Sequence, residues 1–215
     1  MGCVITFNAR PARKSNRLAR KILRNGEGMK KKMERHEVEQ PADPSVRLIP
    51  LTFYQNAIVD VADYEWLNQF NWHAQWQPRT HSFYALRWKD GTTVAMGREI
   101  LGLPDHTSES DRREADHQNG NTLDCRRDNL RAATPAQNVR NRKRHRTNRS
   151  GFKGVRQSGQ KWSAKVCARG RTIYIGGFET AEHAARVYDS VARVLHGEFA
   201  RCNFPENCEV SKKND

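Results

Sequence analysis

Residues 114–138 constrain this chain more than any other part of it. They include Ala115-Asp116-His117-Gln118-Asn119-Gly120-Asn121, then Asp128-Asn129-Leu130-Arg131, then Thr134-Pro135-Ala136-Gln137-Asn138. Glu114–His117 can form a short strand, Asn119-Gly120-Asn121 is a turn signal, and Leu130–Ala133 can return as a second strand. Thr134, Pro135 and Gln137 read as an N-cap, an N1 proline and an N3 capping-box partner. A helix therefore starts there, with Asn138 in its first turn or so, pointing back at the Asp-His strand. The spacing puts a carboxylate beside a histidine, an amide twelve residues on, and a second amide nine residues further. Carboxylate and amide oxygens are ligands of the kind Mg²⁺ or Mn²⁺ accepts. His117 is suited to activating a water near neutral pH. Together these residues suit a small site holding one hard divalent cation next to a phosphodiester.

The charge points to the same kind of partner. Lys and Arg number 38 against 24 Asp and Glu, a formal net charge of +14. That excess favours a polyanion. It is also clustered: residues 139–150 hold Arg140, Arg142, Lys143, Arg144, Arg146 and Arg149 with no acid, and residues 10–35 hold a second run interrupted by Glu27 and Glu34. A membrane is the other polyanion to weigh, but no apolar stretch approaches the ~18 residues of a spanning helix. Met1-Gly2-Cys3-Val4 lacks a secretory h-region, and Thr6 alone makes a weak myristoylation match. Cys3, Cys125, Cys167, Cys202 and Cys208 form no Cys-x-x-Cys pair, so no structural zinc is expected. Their odd number and scattered spacing fit a reducing compartment, and the expected location is the cytoplasm of a bacterial cell, nucleoid-associated or phage-infected.

The Asp-His … Asn … Asn order and spacing resemble the HNH endonuclease family, in the variant whose third motif residue is Asn rather than His. Residues 115–141 are similar to the phage and intron-encoded homing endonucleases of that class. The resemblance implies a ββα-metal unit with His117 as general base, Asp116 and Asn138 as ligands of one Mg²⁺ or Mn²⁺, and Asn129 pinning the loop that carries His117. It also places Arg98, just before the site, where it can contact the scissile phosphate. Where relatives often carry a His in "M-H-R", this chain reads Met96-Gly97-Arg98.

Around that unit the chain divides into a basic, disordered tail over residues 1–44, an HNH domain over 45–141, a basic linker over 142–150, a second domain over 151–205 and a tail over 206–215. Residues 17–24 can form a short basic helix on contact with DNA. Strands are expected near residues 47–51 and 57–60, a helix over 63–70, and three more strands over 71–77, 83–88 and 92–96. Four of the five tryptophans lie between 66 and 88 and read as the small core of an α+β platform.

In residues 151–205, Trp162, Ala164, Val166 and Ala168 alternate with Lys161, Ser163, Lys165 and Cys167, the mark of a half-buried antiparallel strand. Arg169-Gly170-Arg171 is a tight turn, and the chain returns with Ile173 and Ile175 inward. Thr180 caps a helix with an apolar stripe of Ala184, Tyr188, Val191 and Leu195, which Gly197 ends. A three-stranded sheet on one helix follows. Gly154-Val155-Arg156, Lys161-Trp162-Ser163-Ala164, Ile175-Gly176-Gly177-Phe178, Thr180-Ala181-Glu182-His183-Ala184-Ala185 and Asn203-Phe204-Pro205 resemble the AP2 DNA-binding domain. That resemblance implies a polar sheet face in the major groove of double-stranded DNA, with Arg156, Ser158, Lys161, Lys165, Cys167, Thr172 and Tyr174 upon it and Arg169 and Arg171 at its turn. Plant relatives place arginines or tryptophans where Ser158, Cys167 and Thr172 stand, so their target sequence does not carry over.

The expected fold class is thus α+β, a ββα-metal unit on a small platform followed by an AP2-like domain. The expected function is a homing-type nuclease that nicks double-stranded DNA, compatible with a monomer and given site preference by its second domain. The alternative is a noncatalytic DNA-binding regulator with a degenerate HNH unit. RNA is disfavoured, because Tyr174 alone offers a stacking aromatic on the polar face.

Overall fold

The computed structural model describes residues 36–104 and 111–205. The tail over 1–35, the helix expected at 17–24 and residues 206–215 lie outside the described residues.

Strands β1 (Val46–Pro50) and β2 (Asn56–Asp60) pair antiparallel, and helix α1 (Val61–Asn68) follows directly. A three-stranded antiparallel meander comes next, β3 (His73–Gln77), β4 (Ser82–Lys89) and β5 (Thr92–Ala95), ending in the short helix α2 (Met96–Ile100). Strand β6 (Glu114–His117) pairs antiparallel with β7 (Leu130–Ala133), and helix α3 (Pro135–Asn141) closes this unit. Both strands fall where the sequence predicts them. Thr134 and Gln137 form a reciprocal capping box at the start of α3, with Pro135 at the first helical position. The class is α+β, built from small antiparallel sheets.

One core serves the platform and the β6–β7 unit together. Ile49, Leu51, Val59, Leu67, Trp72 and Met96 meet Cys125 and Leu130 in a single buried cluster. The β6–β7 connection also bonds to β2: Ile58 N donates to Leu123 O and Cys125 N to Ile58 O, each at 2.8 Å. Trp72 is fully buried with its indole N–H on Leu67 O at 2.8 Å, while Trp88 is 69 % exposed and belongs to no core. Helix α2 was not anticipated, because it is a single turn with Gly97 inside it and shows no period. Packing dictates that glycine: a Cβ there would stand 3.2 Å from both Ala115 Cβ and Leu130 Cδ2. Residues 36–44, expected in the disordered tail, lie against this unit. Gln40 exchanges two side-chain hydrogen bonds with the Leu48 backbone at 2.9 and 3.1 Å, and His36 Nε2 meets Asn56 Oδ1 at 2.8 Å.

The C-terminal sheet runs in the order β8 (Val155–Ser158), β9 (Lys161–Ala168), β10 (Arg171–Phe178), antiparallel throughout, with helix α4 (Ala181–His196) across one face. Thr180 caps α4 through its hydroxyl, and Gly197 at φ 55° ends it. The buried stripe of α4 is Ala184, Ala185, Tyr188, Asp189, Ala192 and His196, so Leu195 faces out where the sequence pattern had placed it inward. Two other expectations shift. Ile173, near the free end of the hairpin, is exposed, and Ser163, polar by pattern, is buried in the central strand. Gly154 is required by close approach: at φ 71° a Cβ would fall 2.1 Å from the Tyr188 ring. Buried Asp189 accepts the Asn203 and Phe204 backbone N–H groups at 2.8 to 2.9 Å, and Asn203 Oδ1 accepts Lys153 N at 2.7 Å. This bracket ties the end of the unit to its beginning.

Candidate functional site

Successive residues of a strand face opposite ways, and β6 uses both faces. Glu114 and Asp116 share one; Ala115 and His117 share the other. His117 is 8 % exposed, edge-on to the Tyr84 ring with centroids 6.4 Å apart, and its Nε2 lies 3.9 Å from Cys125 Sγ. Burial pushes its pKa down to about 4 against the opposing pull of Asp116 and Asp124, so the ring is neutral at pH 7. Gly97 borders it: a Cβ there would be 3.7 Å from Nε2.

Asp116 is 3 % exposed and fully engaged. Its cross-strand neighbour Arg131 donates from Nε at 2.9 Å, and Asn141 Nδ2 donates to both carboxylate oxygens at 2.9 and 3.1 Å. Asn141 also reaches His117 O at 3.0 Å. Asn138, one helical step earlier on the same side of α3, donates its amide to Glu114 instead. The structure thus gathers Asp116 and Asn138 on one side of β6 but gives each its own partner. Glu114, Arg131 and Asn141 are site residues that the sequence reading missed. The signals were present: Glu114 is two before Asp116, Asn141 three after Asn138, and Arg131 directly opposite Asp116.

Asn129 sits at the junction of a 3-10 turn (Arg127–Asn129) and β7. Its Oδ1 accepts Asn119 N at 2.9 Å, its Nδ2 donates to Asp124 O at 2.7 Å, and its carbonyl accepts Gln118 N at 2.8 Å. One side chain therefore holds both ends of the loop after His117. Arg98 does not reach the surface: it is 3 % exposed, and its guanidinium donates to Arg113 O at 2.6 Å and to Pro104 O. Its placement is that of a brace between α2 and β6, because both terminal nitrogens are taken by backbone carbonyls.

The donor chemistry on the Asp116 side fits a hard divalent cation. Carboxylate oxygens of Asp116 and Glu114 and the carboxamide of Asn138 are the ligand types Mg²⁺ and Mn²⁺ prefer, and Arg131 is the charge with which such an ion would share Asp116. Among the described residues no group of three His, Cys, Asp or Glu forms a metal cluster, so the fit depends on the asparagine oxygen.

On the C-terminal unit, Tyr174 is exposed and lies between two cations, with Arg156 Cζ 4.7 Å and Lys165 Nζ 5.8 Å from its ring centroid. Lys161 is paired with Glu179. Arg169 and Gly170 form the β9–β10 turn, both at positive φ, and Arg171 opens β10; neither arginine has an acidic partner among the described residues. Cys167 and Thr172 face each other across the strands with Sγ and Oγ1 3.3 Å apart.

The two halves touch at the site itself. Arg131, which holds Asp116, donates to Glu198 O at 2.7 Å, stands 3.6 Å from the Glu198 carboxylate, and stacks over Phe199 at 4.0 Å. Arg201 Nη1 donates to Gln118 O at 3.1 Å.

The chain is similar to parts of several known proteins. The chain is 39% identical over 88 residues to protein 3.8 of Escherichia phage T7, covering 40% of this chain and 72% of that one. It is 40% identical over 89 residues to an uncharacterized HNH endonuclease of Acanthamoeba polyphaga mimivirus, covering 41% and 46%. It is 37% identical over 75 residues to the dehydration-responsive element-binding protein 2E of Arabidopsis thaliana, covering 30% and 31%. The chain therefore spans under a third of that plant relative and about half of the mimivirus one. No family model and no solved structure matches.

Proposed function

This chain belongs to the HNH endonuclease family, in its Asp-His/Asn/Asn variant with a C-terminal AP2-type domain, and from that premise we propose that it is a metal-dependent, homing-type nuclease that nicks double-stranded DNA. Residues 45–141 would cut, residues 151–205 would choose the site, and residues 142–150 would join the two over the phosphates. The observation that carries the reading is the buried network around Asp116 and His117. A neutral imidazole and a fixed carboxylate lie on adjacent positions of one strand, with a cation-compatible amide beside them.

In this reading His117 accepts a proton from the water that attacks the phosphorus, which its neutral ring permits at pH 7. Asn129 keeps the loop after His117 in place through its three hydrogen bonds. Asp116 and Asn138, with Glu114 beside them, would hold Mg²⁺ or Mn²⁺. When bound, that ion polarises the phosphodiester and stabilises charge on the leaving oxygen. Arg131 and Asn141 fix the orientation of Asp116. The exposed cations of the C-terminal sheet would read base edges, while other cations set register on the phosphates.

A second reading has its own support. His117 is 8 % exposed and Asp116 is held by an arginine, an arrangement that also suits a DNA-binding regulator whose HNH unit does not cut. Supercoiled plasmid separates the two. The nuclease reading expects open-circular product with Mg²⁺ or Mn²⁺, none with EDTA, and a rate about 10²–10⁴ lower for His117→Ala. Duplex binding without cleavage in any metal would leave the regulator standing.

A further inference from the structure

Four cations meet where the two halves of the molecule join, and among the described residues none of them has an acidic partner within ion-pair distance. They are Arg140 near the end of α3, Lys143 just beyond it, Lys153 ahead of β8, and Arg201 after α4. Several observations place them together. Lys153 Nζ donates to the Arg140 carbonyl, and Arg201 Nη1 to Gln118 O at 3.1 Å. A Cβ on Gly120 would stand 3.4 Å from Lys143 Nζ and 3.3 Å from Arg201 Nη1, so both head groups border one point beside the loop after His117.

Like charges so placed repel. Burial and the Arg201 guanidinium push Lys143 down, and the same two causes push Lys153 down to about 8. His196, buried at the end of α4, is also pushed down, by burial and by the charges of Arg140 and Lys153, and its Nδ1 has no hydrogen-bond partner among the described residues. Asp189, whose charge Lys153 feels, is already engaged by Asn203 and Phe204. The cations come from both halves, so docking the halves brings the repulsion about. An anion at the junction would reverse its sign.

We propose that this junction is a binding site for one phosphate of the DNA backbone, gripped by both halves at once. Lysine and arginine are the residues that take phosphate in charge-assisted hydrogen bonds. The site lies against the Gln118–Gly120 loop, whose Gly120 N bonds to His117 O at 2.8 Å, so a phosphate held here stands at a fixed offset from the cutting site. It would thereby set the distance between the sequence the sheet reads and the bond that is cut. The inference rests on the DNA-binding part of the proposed function but not on cleavage.

The test uses the full chain in EDTA with a 30-base-pair duplex, measuring affinity across a salt series for the parent and for Lys143→Gln with Arg201→Gln. One shared phosphate predicts that the double variant lowers the salt slope by about one unit, not two. Hydroxyl-radical footprinting should then lose protection at one position between the two protected stretches. The variant should unfold at about the temperature of the parent, because the repulsion it removes offsets the Arg201–Gln118 hydrogen bond it loses. Should it fail to fold, Lys143→Gln alone, at an exposed position, carries the same footprint test. An unchanged slope and footprint in a protein that binds duplex overturns this site alone. A parent that binds no duplex overturns the DNA reading as well. Weaker binding of polyglutamate with duplex binding intact would show an acidic peptide as the occupant, and would overturn the proposal too.

Discussion

The side of β6 that carries Asp116 and the outer face of the C-terminal sheet are both rich in polar residues, and they use them in opposite ways. Around Asp116 each polar group is engaged by a neighbour and buried or partly buried: Arg131, Asn141, Asn138 with Glu114, and Asn129 with its loop. On the sheet, Arg156, Lys165, Arg169 and Arg171 are exposed and, among the described residues, have no acid beside them. The first arrangement fixes geometry before any substrate arrives, which chemistry requires. The second leaves its charge for a partner that is not part of the fold. Damage to the first should therefore cost stability and function together, and damage to the second should cost affinity alone.

The largest expected effect breaks the buried side. Asp116→Ala leaves the largely buried Arg131 guanidinium without its buried carboxylate, its remaining partners being the Glu198 carbonyl at 2.7 Å, the exposed Glu198 carboxylate at 3.6 Å and the Phe199 ring. Removing one partner of a buried pair costs about 3–5 kcal/mol, which urea unfolding will measure. Asn138→Ala loses one hydrogen bond, to partly buried Glu114, and should stay within about 1.5 kcal/mol of the parent. Both variants should stop nicking. If Asp116→Ala is as stable as Asn138→Ala, Asp116 is not the keystone of this network.

The effect of intermediate size concerns pH. His117 has a folded pKa of about 4, below the unfolded value near 6.5. Between these values the unfolded chain binds more protons. The contribution of His117 is therefore complete above about pH 6.5 and is lost progressively as pH falls to about 4. That window is worth about 3 kcal/mol. His73 and His196 shift in the same direction, so the readout is the difference between the parent and His117→Gln. Parallel stability curves from pH 7 to pH 4 would mean that the ring is hydrated, and the buried-base picture would fail.

These contrasts also show what a sequence can reveal. The edges of β6 and β7 and the start of α3 were legible because local rules set them: alternation, an Asn-Gly turn, a capping box within four residues. Three features were not. Helix α2 is a single turn placed by the contact of Gly97 with Ala115 and Leu130, so no period marks it. Asn138 and Asn141 lie on one helical side, and which of them meets Asp116 depends on how α3 sits against β6, a tertiary quantity. Arg131 reads as a strand residue, yet its second role joins it to Glu198 and Phe199, far along the chain. The Leu195 misplacement has a simpler cause: Asp189 and His196 are polar residues on the buried stripe, and counting hydrophobes alone rotates the stripe away from them.

The smallest effect sharpens the exposed side, where one cation is not free. Lys161 is paired with Glu179, and both side chains are substantially exposed, 49 % and 75 %. Lys165 has no acidic partner among the described residues and lies 5.8 Å from the Tyr174 ring. To contact DNA, Lys161 must release its carboxylate, and an exposed pair of this kind is worth about 0–1 kcal/mol. Lys165→Gln should therefore weaken duplex binding more than Lys161→Gln, by a margin within that range. Glu179→Gln should strengthen it slightly, because it frees Lys161 and removes a negative charge from the face. Fluorescence anisotropy at one salt concentration resolves differences of this size, and stability should stay within about 0.5 kcal/mol for all three variants. Equal losses from the two lysines, with no gain from Glu179→Gln, would mean that pairing on this face does not regulate what it offers to DNA, and the contrast between engaged and available charge would hold only between the two faces and not within one.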